Sequence, residues 1–254
     1  MVESPAPIAV SGLTFTYPGG TEPVLADLAL AVPAGARCLL IGANGSGKTT
    51  LLGLLAGKRL VADAAIRILG RPAFSDTSLA GRVSFIGGPF PLDVDISVDE
   101  ILRRIDPEPR RRDRLLAVLA VDRRWRMGRV SDGQRRRVQI LLGLLAPIEV
   151  LLLDEVTTDL DVVARADLLA FLAADCRERR TTILYATHIL DGLERWASHL
   201  ALLDGGRIRL MAPLAEVAEL VALQRAGERS PLLRLVEGWL RPGGPPPAPP
   251  SRGA

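Results

Sequence analysis

Gly42-Ala43-Asn44-Gly45-Ser46-Gly47-Lys48-Thr49 is the stretch whose reading decides the fold. Ahead of it runs the apolar segment Arg37-Cys38-Leu39-Leu40-Ile41. Behind it comes Thr50-Leu51-Leu52-Gly53-Leu54-Leu55-Ala56-Gly57, whose apolar spacing predicts a helix closed by glycine. Strand, glycine-rich loop and helix start, in that order, give G-x-x-x-x-G-K-[ST] the context in which it cradles phosphate. Backbone N–H groups from Gly42 through Thr50 are expected to face phosphate oxygens, with the helix dipole favouring their negative charge. Lys48 is expected to reach the β- and γ-phosphates of a nucleoside triphosphate, and the Thr49 hydroxyl to ligate Mg²⁺. The competing reading, a glycine-rich turn that merely precedes a helix, does not account for the flanking strand and helix. Composition also favours the cradle. Lysine occurs only at Lys48 and Lys58 in a chain with 32 Lys+Arg, and Asn44 is its only asparagine. A compact ammonium suits a phosphate loop that a guanidinium fork would not fit.

The 254 residues suffice for a sizeable core, and 48% hydrophobic with 24% charged residues is the composition of a globular protein. Cys38 falls in the strand before the loop and Cys176 in an amphipathic helix, so no disulfide framework is indicated and a reducing compartment is expected. Met1-Val2-Glu3-Ser4-Pro5 has no basic segment ahead of an apolar one, which argues against a signal peptide. The longest apolar region, Val138 to Leu153, is interrupted by Pro147 and Glu149 and falls short of the ~20 residues of a membrane span. These features predict a cytoplasmic protein. Charge is uneven: Arg103 to Arg137 holds thirteen Arg against five acids, a local net of +8 in a chain whose total is +3.

Ile8 to Tyr17 and Val24 to Val32 read as strands joined through Pro18-Gly19-Gly20, an antiparallel layer leading into an α/β core. Ala65 to Leu69 and Val83 to Ile86 read as short strands. From Ser97-Val98-Asp99-Glu100, a capping-box pattern, the chain is expected to be helical through Arg126. Another helix is expected to carry Gln134 to Leu145 after Ser131-Asp132-Gly133, completing a helical subdomain of about 97–146. Val150 to Leu153 is a continuous apolar run ending in Asp154-Glu155, as in a central parallel strand whose C-terminal end faces a ligand. Val162 to Arg177 reads as a helix, and Thr181 to Ala186 as another buried strand, with Thr187-His188 at its end. A hairpin is expected around Asp204-Gly205-Gly206, then a helix near Pro213 to Gln224, another over Pro231 to Leu240, and a disordered Pro/Gly-rich tail over 242–254.

With Mg-ATP as ligand, Asp154 is expected to hold the metal, and Glu155 to orient or deprotonate the attacking water. Tyr17 is either an ordinary strand aromatic or a platform for a base. A tryptophan buried in the helical subdomain is the simplest account of Trp125, and a solvated helical face that of Arg103 to Arg137; nucleic-acid or acidic-partner binding is the functional alternative, although stacking aromatics other than Trp125 are missing.

Taken in order, these motifs resemble an ATP-binding cassette (ABC) ATPase from about Ile8 to Leu240. The resemblance implies an α/β P-loop NTPase fold, an ABC nucleotide-binding domain over 1–241 with an antiparallel β layer and an inserted helical subdomain. Tyr17 matches the family's adenine-stacking aromatic, Asp154 and Glu155 the metal-holding acid and catalytic carboxylate, and His188 the switch histidine. Ser131-Asp132-Gly133-Gln134 stands where the family has its signature, whose serine and glycine contact the γ-phosphate bound to the opposite subunit. Leu160-Asp161 matches the dimer-contacting aspartate loop. Two positions depart from the pattern: Asp132 replaces a glycine, and Gly88 stands where the family has a glutamine that touches metal and water. The segments around Trp125, Ser131, Asp154, Tyr185-Ala186-Thr187-His188 and Trp239 are similar to soluble ABC ATPases of plants (the "I" subfamily) and of yeast, the latter linked to a transcription and mRNA-decay regulatory complex.

The resemblance thus implies a Mg-ATP hydrolase acting as a head-to-tail homodimer, a conformational switch for a protein partner. The ATPase subunit of a transporter with separate membrane proteins, and a nucleotide-gated clamp with little turnover, are the alternatives.

Overall fold

The computed structural model describes residues 5–62, 64–90, 95–105 and 108–241. The chain opens with two long antiparallel strands, β1 (Ile8–Phe15) and β2 (Leu25–Val32), whose alternate side chains are buried. β3 (Arg37–Ile41) runs into the glycine-rich loop and α1 (Lys48–Leu55). β4 (Ile66–Ile68) and β5 (Arg71–Pro72) complete a four-stranded sheet in the order β2-β1-β4-β5. Then come β6 (Val83–Ile86), α2 (Val98–Ile105), α3 (Pro109–Val118), α4 (Asp132–Leu144) and β7 (Val150–Asp154). They are followed by α5 (Val162–Arg179), β8 (Thr182–Ala186), the one-turn α6 (Leu193–Trp196), β9 (His199–Asp204), β10 (Arg207–Pro213), α7 (Ala218–Arg225) and α8 (Pro231–Leu240).

Six strands form the central sheet in the order β10-β9-β3-β8-β7-β6, all parallel except β10, which pairs antiparallel with β9. Its inner strands β3, β7 and β8 are largely apolar because both their faces are covered. Alternate residues of β7 feed different cores: Leu151 and Leu153 join the helices α2 to α5 and α8, whereas Val150 and Leu152 join α1 and the antiparallel sheet. The same division separates Leu39 and Ile41 from Cys38 and Leu40 in β3, and Ile183 and Tyr185 from Leu184 and Ala186 in β8. Asp154 pairs in register with Ala186, and Ala186 lies beside Leu40. The C-terminal ends of β3, β7 and β8 therefore meet at one edge, bringing together the glycine-rich loop, Glu155 and Thr187-His188.

The helix expected through Arg126 ends at Val118. Beyond it the backbone turns to pair with the start of α2: Val98 N–H donates to the Trp125 carbonyl, Asp99 N–H to that of Arg123, and Met127 N–H to that of Ile96. These bonds, with the Asp122 carboxylate accepting from Arg124 N–H, give the backbone a better alternative than continued helix. The helix expected near Pro213 begins only at Ala218, after a short 3₁₀ turn over Leu214–Glu216. The tail over 242–254 lies outside the described residues. Among the described residues, no helix is long and apolar enough to cross a membrane.

Candidate nucleotide site

Close packing dictates the shape of the loop. A Cβ at Gly42 would lie 2.2 Å from the Leu203 carbonyl oxygen, and Gly47, at φ 103°, would bring one to 2.8 Å from Leu25. Gly47 precedes α1, and no side chain caps that helix. Its first N–H groups thus lack the side-chain acceptor that helix starts usually have. Lys48 Nζ folds back onto the carbonyls of Gly42 (2.8 Å) and Ala43 (3.0 Å). Burial pushes its pKa down, and the negative charges of Glu155 and Asp154 oppose that shift. Ser46 Oγ is buried with no hydrogen-bond partner among the described residues. An uncapped helix start, an orphan hydroxyl and a cation held by loop carbonyls together form a cradle fitted to a polyphosphate.

Asp154 is the last residue of β7 and is buried. Burial raises its pKa and the Glu155 charge adds to this, against a hydrogen bond from Thr49 and the charges of Lys48 and Arg136. The Thr49 hydroxyl and Asp154 carboxylate are an all-oxygen pair, as a hard divalent cation such as Mg²⁺ requires. Glu155 has φ 50°, the left-handed region that a residue with a Cβ enters at a cost. Its N–H donates to the Ala186 carbonyl (2.9 Å), and its Oε2 accepts from His188 N–H (3.3 Å) and lies 2.9 Å from His188 Nδ1. The His188 side chain is 65% exposed, so it is not a core histidine, and it lines a neighbouring pocket with Gly42 and Thr187. A cleft of about 490 Å³ runs from Tyr17 and Val24 across Asn44, Gly45, Lys48 and Thr49 to Asp154 and Glu155. Tyr17 lies two residues past the end of β1. Its hydroxyl bonds Thr50 Oγ1 (2.9 Å), Phe15 packs edge-on, and the Arg59 guanidinium sits 4.8 Å from the ring centroid.

Ser131, Gly133, Gln134 and Asp161 do not line this cleft. Ser131 caps α4 in a reciprocal box, its Oγ accepting from Gln134 N–H (3.2 Å) while Ser131 N–H donates to Gln134 Oε1 (3.0 Å). Asp132 is exposed in the first helical turn, where the dipole favours an acid. Asp161 caps α5, accepting from Ala164 N–H (2.9 Å), and pairs with Arg137. Gly88 has φ 69° and open space around it, so the loop after β6 carries no amide there. Val24, Arg59, Arg136 and Gln139 were not indicated by sequence. The two α4 residues meet the Gly87–Pro89 loop from about fifty positions away, so no local pattern marks them.

Much of the basic stretch is neutralised internally. Among the described residues, eight of its thirteen arginines pair with carboxylates: Arg103 and Arg123 with Asp99, Arg111 with Asp175, Arg112 with Asp113, Arg124 with Asp122, Arg126 with Asp95, Arg136 with Asp159 and Arg137 with Asp161. Trp125 packs half-buried against the helical-side core. This arrangement fits a structural role for the region better than a nucleic-acid groove.

A doubly covered sheet whose strand ends gather a glycine-rich loop, a lysine and two carboxylates defines a P-loop nucleotide-binding protein. Residues 25–158 match the ABC transporter family profile, and the chain belongs to that family of ATP-binding, ATP-hydrolysing cassettes. It is 50% identical over 249 residues to ABC transporter I family member 21 of Arabidopsis thaliana, covering 92% of this chain and 86% of that one. It is 42% identical to CCR4-associated factor 16 of Saccharomyces cerevisiae, covering 79% and 76% respectively. The nickel import ATP-binding protein NikO of Rhodobacter capsulatus is 34% identical, with 87% and 95% covered. Among solved structures, the ATP-binding subunit of an ABC transporter superposes with a TM-score of 0.75 at 24% identity, covering 91% of this chain and 97% of that one. A dimeric bacterial ABC transporter cassette gives 0.71 at 20% identity, covering 82% and 98%. At these identities the structures show the shared fold.

Proposed function

We propose that this ATPase is a conformational switch acting on a protein partner, and that two copies close head to tail around ATP. One observation carries the reading: Lys48, Thr49, Asp154, Glu155 and His188 converge at one sheet edge, while Ser131 and Gly133 lie outside the cleft they would have to complete. A second copy supplies them. Lys48 leaves its loop carbonyls for the β- and γ-phosphates, and the N–H groups of Gly42 to Thr50 hold the phosphate oxygens. Tyr17 presents its ring to the base. Glu155, bonded to His188, orients the attacking water and takes its proton, and His188 stands beside the γ-phosphate. Thr49 and Asp154 would hold Mg²⁺ with ATP bound, and the ion would supply charge neutralisation to the polyphosphate. Asp161 sets the partner-facing loop through its cap. A protein partner is supported by the likeness to a yeast relative named as an associated factor. Likeness to an import ATP-binding protein favours a second reading, a subunit for separately encoded membrane proteins.

The direct test is Glu155→Gln, which keeps the shape and removes the base. ATP binding is expected to persist while turnover falls by roughly 10²–10⁴. Wild-type turnover in this variant would move the catalytic role elsewhere. Association of wild-type chain with an integral membrane protein would favour the second reading.

A further inference from the structure

The catalytic strand end is flanked by two loops, and both are attached to one face of α4. On one side, the backbone of Gly87 lies against Asp154: a Cβ there would be 2.6 Å from the Asp154 Cβ and 3.0 Å from the Phe85 ring. Movement of the Gly87–Pro89 loop therefore moves the wall of Asp154. On the other side, the turn after Glu155 is closed by Thr158, whose Oγ1 donates to the Glu155 carbonyl (3.0 Å), and leads to Asp159. That turn also abuts the start of α4, since a Cβ on Gly133 would lie 3.1 Å from the Asp159 carbonyl oxygen.

Arg136 bridges the two loops. Its NH1 donates to the Gly88 carbonyl (3.0 Å) and to Gln139 Oε1 (2.5 Å), and its Nε faces the Asp159 carboxylate at 3.4 Å. Gln139, thus oriented, turns its Nε2 toward the carbonyls of Gly87, Gly88 and Pro89 at 3.4–3.5 Å. These contacts are long singly; together they seat the amide over the loop. The Arg136 side chain is 18% exposed, and its planar fork satisfies partners in three directions, which a lysine ammonium on a flexible stem does not reproduce.

We propose that Arg136, with Gln139, is a positioning device that sets Asp154 and Glu155 relative to the Ser131 end of α4, so that the helix carrying Ser131 fixes the geometry of hydrolysis. It rests on the ATPase reading of the cleft above. Neither residue touches ATP in this account, so the device acts on the catalytic step and not on binding, where a displacement of about 1 Å costs up to ~10²-fold.

Steady-state ATP hydrolysis by the full chain tests this with Arg136→Gln, Gln139→Ala and the double variant, each checked for wild-type thermal unfolding. Expected for Arg136→Gln is a kcat about 10–100-fold lower at a KM within about threefold of wild type, with the double variant no worse than Arg136→Gln alone. A wild-type kcat, a fall mirrored by a rise in KM, or losses that multiply in the double variant would each overturn the proposal. If Arg136→Gln does not fold, Arg136→Lys carries the test, reduced kcat at unchanged KM supporting the device and wild-type kinetics rejecting it. Lys48→Ala is the control: activity surviving there sinks the ATPase reading itself, whereas loss there beside wild-type kinetics in Arg136→Gln sinks this proposal alone.

Discussion

Glu155 holds a backbone conformation that glycine would adopt more readily, and the register of β7 against β8 imposes it. Its N–H is fixed to the Ala186 carbonyl, so the chain must turn sharply just as the side chain reaches His188. The neighbouring Asp154 also costs stability, because a carboxylate is buried without full compensation. In the absence of nucleotide, Asp154→Asn is accordingly expected to raise stability by about 0.5–2 kcal/mol in urea denaturation while abolishing hydrolysis; a destabilised variant would mean that the carboxylate is fully compensated in the free chain. Lys48 makes the complementary case. Removing its ammonium deletes charge-assisted contacts to phosphate of roughly 1.5–3 kcal/mol, so ATP affinity of Lys48→Ala is expected to fall about tenfold or more. Unchanged affinity by calorimetric titration would refute the phosphate-loop assignment.

At the scale of elements, α3 is tied to α5 by a buried ion pair. Arg111 donates twice to Asp175 (2.6 and 3.0 Å), gives its Nε–H to the Leu144 carbonyl and stacks over Phe171; the side chains of the pair are 5% and 7% exposed. Breaking such a pair strands a charge, so Asp175→Ala is expected to cost about 3–5 kcal/mol, whereas replacing both partners by apolar residues costs much less. Chemical denaturation of the two variants distinguishes these outcomes, and equal losses would contradict the argument. Elements of this sheet were legible in the sequence where burial is two-sided. The buried runs at β3 and β7 stand where their patterns predict, and the loop, Asp154, Glu155 and His188 follow from such strand ends; the half-buried edge strand β6 and the amphipathic helix α8 were also legible. The stretch Leu119 to Val130 was not legible, because its backbone partners lie at Ile96 to Asp99. Arg136 and Gln139 escaped for the same reason: their α4 pattern reads as an ordinary polar helix face, and only tertiary structure shows which loop they hold.

For the whole molecule, the proposed head-to-tail pair is the assembly to be tested. Between Arg103 and Arg137 eight of the described arginines pair with carboxylates, and in the proposed assembly the exposed Ser131 end of α4, with its helix dipole, would face an anion on another chain. In the proposed dimer each chain would contribute its phosphate loop to one site and its Ser131-Asp132-Gly133-Gln134 segment to the other, an isologous pairing. The proposed switch would work by population: ATP would favour the closed pair by its greater affinity for it, and hydrolysis would remove that preference. The measurement that tests this most directly is light scattering of Glu155→Gln with and without saturating Mg-ATP. The account predicts a shift from monomer to dimer on adding ATP, abolished by adding Ser131→Arg although ATP remains bound. A chain that stays monomeric with ATP, or that dimerises equally well with Ser131→Arg, would contradict it.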